Sequence, residues 1–236
     1  MERVSVITGS NPILLVAPHG YDDDYTDELT EAAAESMDCH AVINRGWERS
    51  TKVDVYNDKA NCNSVKHCLE DVVREEFLEP IQKIVKRNTK VAYGGRQHLY
   101  VFYIHGMGDQ YRKKIDPKLD LVVGYGEGFP PRLLCQSWRK DLFIHTMEQS
   151  KYTVYQAGPD NPFAAWDRDN MAQFQNSSQV STMQLEFVLA HRKTKKEARI
   201  TGRNFGHAIR NIHNMASWVP PAGWSPKTVY HWYTGS

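Results

Sequence analysis

The feature that most constrains this chain is the run Ile13-Leu14-Leu15-Val16-Ala17, followed at once by Pro18-His19-Gly20-Tyr21-Asp22-Asp23-Asp24. A short, unbroken apolar run leaves no polar face for solvent. It therefore reads as a strand buried on both sides, as in sheets covered by helices. Pro18 lacks the ladder N–H and Gly20 frees the backbone, so the strand ends here. His19 then stands at the carboxyl end of a central strand, where open α/β sheets build their sites. The three adjacent aspartates repel one another. A bound cation would offset that repulsion; a solvated turn capping the next helix, with His19 merely hydrogen-bonded, is the alternative.

The 236 residues suit one large α/β domain, taken here as 1–236. A net charge of +1 gives no reason to expect nucleic acid or an anionic membrane as partner. Mean hydropathy is −0.59 and no long apolar run occurs, which argues against a transmembrane helix. The N-terminus lacks a signal-peptide apolar core. Cys39, Cys62, Cys68 and Cys135 show no paired spacing and read as reduced thiols of a cytoplasmic protein. Cys62, His67 and Cys68 read as ordinary residues at a helix start rather than a metal cluster.

Strands and helices alternate along the chain. Residues 4–8 are expected to form an edge strand, 26–38 a helix with Leu29, Ala32, Ala33 and Ser36 on one face, and 40–44 a second short strand. The polar stretch 45–63 is long for a loop, which in a compact domain points to function or disorder. Residues 64–86 have apolar positions at helical spacing, with Pro80 expected to kink or divide the helix. Residues 99–104, Leu-Tyr-Val-Phe-Tyr-Ile, read as a second buried strand, and it runs into His105-Gly106. Further on, 119–128 read as strand and loop, 138–150 as helix, 152–155 as strand, 160–179 as a polar segment able to cover a site, and 205–219 as an amphipathic helix. The basic run 191–203 reads as a solvated turn or helix face. The aromatic tail from Pro220 is expected to pack on the domain or on a partner subunit, which leaves a homo-oligomer open.

Two apolar strands that each end on His-Gly would, in a parallel sheet, bring both imidazoles to the same edge. Two His and a nearby carboxylate make a mononuclear zinc site with an open position, which metal-assisted hydrolysis needs. Such a site also wants a carboxylate that is not a ligand, acting as general base. Ser181-Thr182-Met183-Gln184-Leu185-Glu186-Phe187-Val188-Leu189 alternates as a strand does. Burial of Glu186 within it would raise its pKa toward a useful range. A solvent-facing Glu186 on a half-exposed strand is the other reading.

Pro18-His19-Gly20, the Asp cluster leading into Asp27-Glu28-Leu29, Tyr103-Ile104-His105-Gly106 and Gln184-Leu185-Glu186 occur in the order seen in N-formylglutamate amidohydrolases. The chain resembles that family over roughly residues 12–190. The family is in turn similar to zinc carboxypeptidases and to the aspartoacylase/succinylglutamate desuccinylase group. The resemblance implies a three-layer αβα fold of the phosphorylase/hydrolase type, with a mixed, mostly parallel sheet and one zinc ion. It also implies hydrolysis of an amide bond in a small N-acyl amino acid or peptide-like substrate. His19 and His105 match the imidazole ligands and Glu186 the general base. For the carboxylate ligand, His-x-x-acid spacing selects Asp22, whereas registering on Asp27-Glu28-Leu29 selects Asp23.

Where that family has a serine near the first histidine, this chain has Gly20-Tyr21. The family's Arg-x-x-x-Asp-x-Asn-Arg element is matched only loosely, by Arg49, Asp54 and Asn57. The resemblance thus carries the metal chemistry further than the formylglutamate substrate. A substrate carboxylate calls for an arginine, whose planar fork suits it. The candidates are Arg45, Arg49 and Arg132. A non-catalytic metal- or ligand-binding protein on the same fold is the alternative function.

Overall fold

The computed structural model describes residues 2–89, 98–126, 137–158, 160–174, 179–212, 214, 224–225, 227–228 and 230–231. Its strands are β1 (Val4–Ile7), β2 (Asn11–Ala17), β3 (Cys39–Asn44), β4 (Leu99–Met107), β5 (Leu121–Gly124), β6 (Val154–Gln156) and β7 (Val180–Val188). Its helices are α1 (Thr26–Met37), α2 (Val65–Cys68), α3 (Asp71–Val73), α4 (Glu79–Thr89), α5 (Asp109–Ile115), α6 (Ser137–Gln149), α7 (Met171–Phe174) and α8 (Lys195–Ile209).

One sheet takes all seven strands, in the order β1-β3-β2-β4-β7-β5-β6. The body β3-β2-β4-β7 is parallel, β1 and β5 join it antiparallel, and β5 pairs with β6 in parallel. The continuous apolar runs serve two covered faces. Ile13, Leu15, Ala17, Tyr100, Phe102, Ile104, Met183, Leu185 and Phe187 share a core with α1, α6 and α8. Leu14, Val16, Val101 and Tyr103 face the other way, onto Trp47, Cys68, Phe77 and Ile81. This is the mixed, mostly parallel three-layer αβα sandwich the resemblance implies.

Three expectations need correction. The long helix expected over 64–86 is divided, but not at Pro80. Glu70 is extended between α2 and α3, and Arg74–Leu78 form a π turn before α4. Pro80 does not break the chain. It lies in the first turn of α4, and the widened turn before it relieves the clash its ring would make with the carbonyl four residues back. The C-terminal helix begins at Lys195, not Phe205. Thr194 caps its N-terminus, the hydroxyl accepting from the Glu197 N–H at 3.2 Å and donating to Glu197 Oε2 at 3.0 Å. The basic run that opens it is not wholly solvated. Arg192 is 3% exposed, and Arg199 pairs with Glu28, Glu31 and Glu35 on α1.

The long polar loop is ordered through Asn44. Its side-chain amide donates to the carbonyls of Pro18 and Trp47 and accepts from the N–H groups of Gly46 and Trp47. The loop is thereby held against the carboxyl end of β2. Among the described residues no helix is long and apolar enough to cross a membrane.

Candidate metal centre

Pro18 ends β2, and the chain turns tightly through the next five residues. The His19 carbonyl accepts the N–H groups of Asp22 and Asp23 at 3.0 and 2.8 Å, which brings Asp23 back beside the His19 ring. On the neighbouring strand His105 lies inside β4, which continues to Met107 rather than ending at Ile104. The two rings meet edge to face with centroids 5.0 Å apart. Asp23 Oδ2 is 3.9 Å from His19 Nδ1 and 3.8 Å from His105 Nδ1. Ligand atoms of all three residues lie within 4.8 Å of one another, the only such group of His, Cys, Asp or Glu among the described residues.

The surroundings fix the tautomer of His19. Asn61 Oδ1 accepts the N–H of Asn63, which identifies it as the oxygen, so His19 Nε2 must donate to it at 2.9 Å. The lone pair of His19 is left on Nδ1, facing Asp23 and His105, where the Arg49 guanidinium donates to it at 3.4 Å. Burial pushes both imidazoles below the ordinary range, and the proximity of His19 lowers His105 further, so both are neutral at pH 7. His105 Nε2 is buried with no hydrogen-bond partner. Asp23 Oδ2 accepts the Gly106 N–H at 3.0 Å. Two neutral imidazoles and a carboxylate thus converge at separations too long for hydrogen bonds, as donors around a small cation do. An N₂O set with one side open to a cavity fits zinc.

Glu186 sits beside His105 in register on β7. It is 5% exposed, so the solvent-facing reading is set aside. Gln184 Nε2 donates to its Oε1 at 2.9 Å, and Gln184 Oε1 accepts from Asn170 at 2.8 Å. Burial first, and the negative charge of Asp23 second, push the Glu186 carboxyl up to about 8. These groups line a cavity of about 500 Å³ together with Arg49, Tyr111 and Phe163. Pro162, Phe163 and Asn170 bring the 160–179 segment into its wall.

Of the other named residues, Arg49 alone among the described ones reaches the cavity. Asp22 Oδ2 accepts the Arg49 N–H at 2.8 Å and ties the polar loop to the turn; it is not in the three-residue group. Arg49 reaches the cavity, with Nη1 3.4 Å from His19 Nδ1 and Nη2 3.9 Å from Asp23 Oδ1. Arg45 is bound to Asp27, Glu31 and Ser5 and does not line the cavity. Arg132 lies outside the described residues, as does Cys135. Cys39, Cys62 and Cys68 are free and buried. Cys68 hydrogen-bonds the Cys62 carbonyl, and His67 accepts the Asn61 N–H. Sequence reasoning passed over Asn61, since nothing local distinguishes it from the other amides of the loop.

No family model and no curated protein matches the chain. Solved structures do. N-formylglutamate amidohydrolase from Ralstonia eutropha JMP134 superposes with a TM-score of 0.59 at 11% identity, over 91% of this chain and 98% of that one. A bacteriophage poly-γ-glutamate hydrolase gives 0.54 at 17% identity, over 90% and 88%. A metallo-carboxypeptidase from Burkholderia cenocepacia gives 0.53 at 12% identity, over 92% of this chain and 66% of that one. The chain therefore shares the fold of N-formylglutamate amidohydrolase and metallo-carboxypeptidase structures, as its ordered short motifs led one to expect.

Proposed function

We propose that this protein is a zinc-dependent hydrolase that cleaves an amide bond in an N-acyl amino acid or peptide-like substrate. The observation that carries the reading is the convergence of His19, Asp23 and His105 beside a buried Glu186 that belongs to no ligand group, all at the wall of one cavity. The solved structures of similar fold, described as an amidohydrolase, a poly-γ-glutamate hydrolase and a metallo-carboxypeptidase, support it as relatives in architecture. Zinc in such a site polarises a carbonyl and makes water a nucleophile near neutral pH.

The chain's own residues do the rest. His19 and His105 present neutral nitrogens, and Asp23 supplies the anionic donor. Glu186 takes the proton of the attacking water and returns it to the leaving amine. A carboxyl raised to about 8 by burial holds a proton well enough for that return. A dication close by would draw the same group back toward its ionised form, ready to accept. Arg49, with its side chain 51% exposed over the cavity, is placed to meet a substrate carboxylate. The buried, free thiols fit a cytoplasmic setting.

Elemental analysis after zinc reconstitution tests the site, with about one zinc per chain expected. His105→Ala and Asp23→Asn should lose it, whereas Asp22→Asn should keep it. Zinc-loaded protein should then hydrolyse members of a panel of N-acyl amino acids and short peptides. A wild type that stays metal-free would overturn the metal site. A loaded wild type inert toward the whole panel would favour the binding-protein alternative.

A further inference from the structure

Arg192 follows β7 by a few residues and is the one buried arginine among the described residues, at 3% exposure. Buried guanidinium groups usually meet carboxylates in paired contacts. This one instead donates to three main-chain carbonyls. Nε reaches Phe187 O at 3.2 Å, Nη1 reaches Asp24 O at 2.7 Å, and Nη2 reaches Met107 O at 3.2 Å. Phe187 follows Glu186, Asp24 follows Asp23, and Met107 lies just beyond His105.

The sheet alone does not fix these segments together. Pairing between β4 and β7 runs through to Met107 and Val188, so His105 and Glu186 are held by the ladder. Pairing between β2 and β4 stops at Val16 and Tyr103. Beyond that point the turn carrying Asp23 is tied to β4 by the Gly106 N–H to Asp23 Oδ2. Arg192 ties the same turn to β4 and β7 at once. Gly106 makes room for it, since a Cβ there would lie 2.2 Å from Arg192 Cζ. The glycine of the second His-Gly pair thus serves as the slot for a guanidinium.

We infer that Arg192 is a positioning residue, which sets Asp23 against His105 and Glu186 by clamping the turn after β2 to the ends of β4 and β7. The inference rests on the hydrolytic function proposed above. It demands an arginine in particular, because a planar fork can reach three carbonyls at once and a lysine ammonium has no such fixed geometry.

The test compares Arg192→Lys and Arg192→Gln with wild type. Exchange of the Gly106 amide hydrogen, followed by NMR, needs neither metal nor substrate. It should quicken roughly tenfold or more while amides inside β4, such as that of Phe102, keep their protection. Zinc affinity, read by chelator competition, should fall about 10–100-fold, as for other groups that orient ligands. In zinc-loaded, folded protein kcat should fall on the order of 10²-fold with KM within about threefold. Unchanged Gly106 exchange and zinc affinity in a folded variant would overturn the inference. So would protection lost evenly across the sheet with kcat retained, or failure of both variants to fold, since each assigns Arg192 to the fold rather than the site. A wild type that binds no zinc would defeat the proposed function separately, and Gly106 exchange would still decide the role of Arg192.

Discussion

Glu28 and Glu186 are almost equally withdrawn from water, at 8% and 5% exposure, yet the protein treats them in opposite ways. Glu28, on α1, meets Lys195 Nζ at 2.5 Å and Arg199 Nη1 at 3.1 Å. Burial raises its pKa, but those hydrogen bonds outweigh burial and leave it below the ordinary range. Glu186 has one neutral donor, Gln184, and a like charge nearby in Asp23, and it is driven up to about 8. Around Glu28 the charges of α1 and α8 are matched within 3.1 Å. Beside Glu186, Asp23 Oδ2 stands 3.9 and 3.8 Å from the ring nitrogens of His19 and His105, beyond hydrogen-bond reach. Matched charges link two helices, whereas the unmatched set around Glu186 is the one the proposed function assigns to a ligand and a proton.

The sharpest test of that difference replaces Glu186. Glu186→Gln keeps the volume and removes the proton acceptor. It should retain zinc, because the three converging groups are untouched, while kcat falls by on the order of 10²–10⁴. Hydrolysis at the wild-type rate would place Glu186 with Glu28, as a structural carboxylate.

A second effect, smaller in energy, appears in metal-free protein. Unfolded Glu186 titrates near the ordinary 4.5 and folded Glu186 near 8. Between those values the unfolded chain has lost a proton that the folded chain keeps, so stability falls as pH rises. Glu186→Gln abolishes that slope, and above pH 8 it should exceed wild type by roughly 2–5 kcal/mol in urea unfolding. The two imidazoles act on the acid side. Their folded pKa values lie below the ordinary 6.5, so stability is lost as pH falls beneath 6.5. Bound zinc should flatten the alkaline slope by holding Glu186 ionised. A metal-free Glu186→Gln that parallels wild type between pH 4.5 and 8 would show that the folded carboxyl is not raised.

Much of this was legible in the chain itself. A buried parallel strand needs an unbroken apolar run, so β2 and β4 announced themselves, and each ran into His-Gly. His19, His105 and Glu186 could be nominated for the proposed site because strand ends and strand alternation are local patterns. The choice between Asp22 and Asp23 was not local. It depends on the His19 carbonyl gathering two successive N–H groups and on the Gly106 N–H reaching across from β4. Arg45 and Arg49 looked alike in sequence, and only packing against Asp27 and Glu31 separates them. Arg192 was hidden in a run of surface charge, because its partners are carbonyls and carbonyls leave no mark in a sequence. The start of α8 was a readable signal that the basic run obscured, since Thr194 and Glu197 stand at the spacing of a helix N-terminus.

The smallest effect should come from the matched region. Arg199 donates to Glu28, Glu31 and Glu35 at 2.8–3.1 Å, with its side chain 25% exposed. Pairs this near solvent contribute about 0.2–1 kcal/mol each, and salt screens them. Arg199→Met keeps the apolar stem and removes the fork. It should lower stability by about 1 kcal/mol in low salt and by less in high salt. Packing is expected to hold the helices together regardless. Gly202 and Gly206 let the backbones of α1 and α8 approach closely, and a Cβ on Gly202 would lie 2.2 Å from the Leu29 carbonyl oxygen. Zinc content and kcat should match wild type, because no atom of this network lines the cavity. A fall in kcat at full zinc loading would break the comparison. The α1–α8 charges would then be acting on the turn that carries Asp23, through the start of α1, and matched and unmatched charge would form one coupled system.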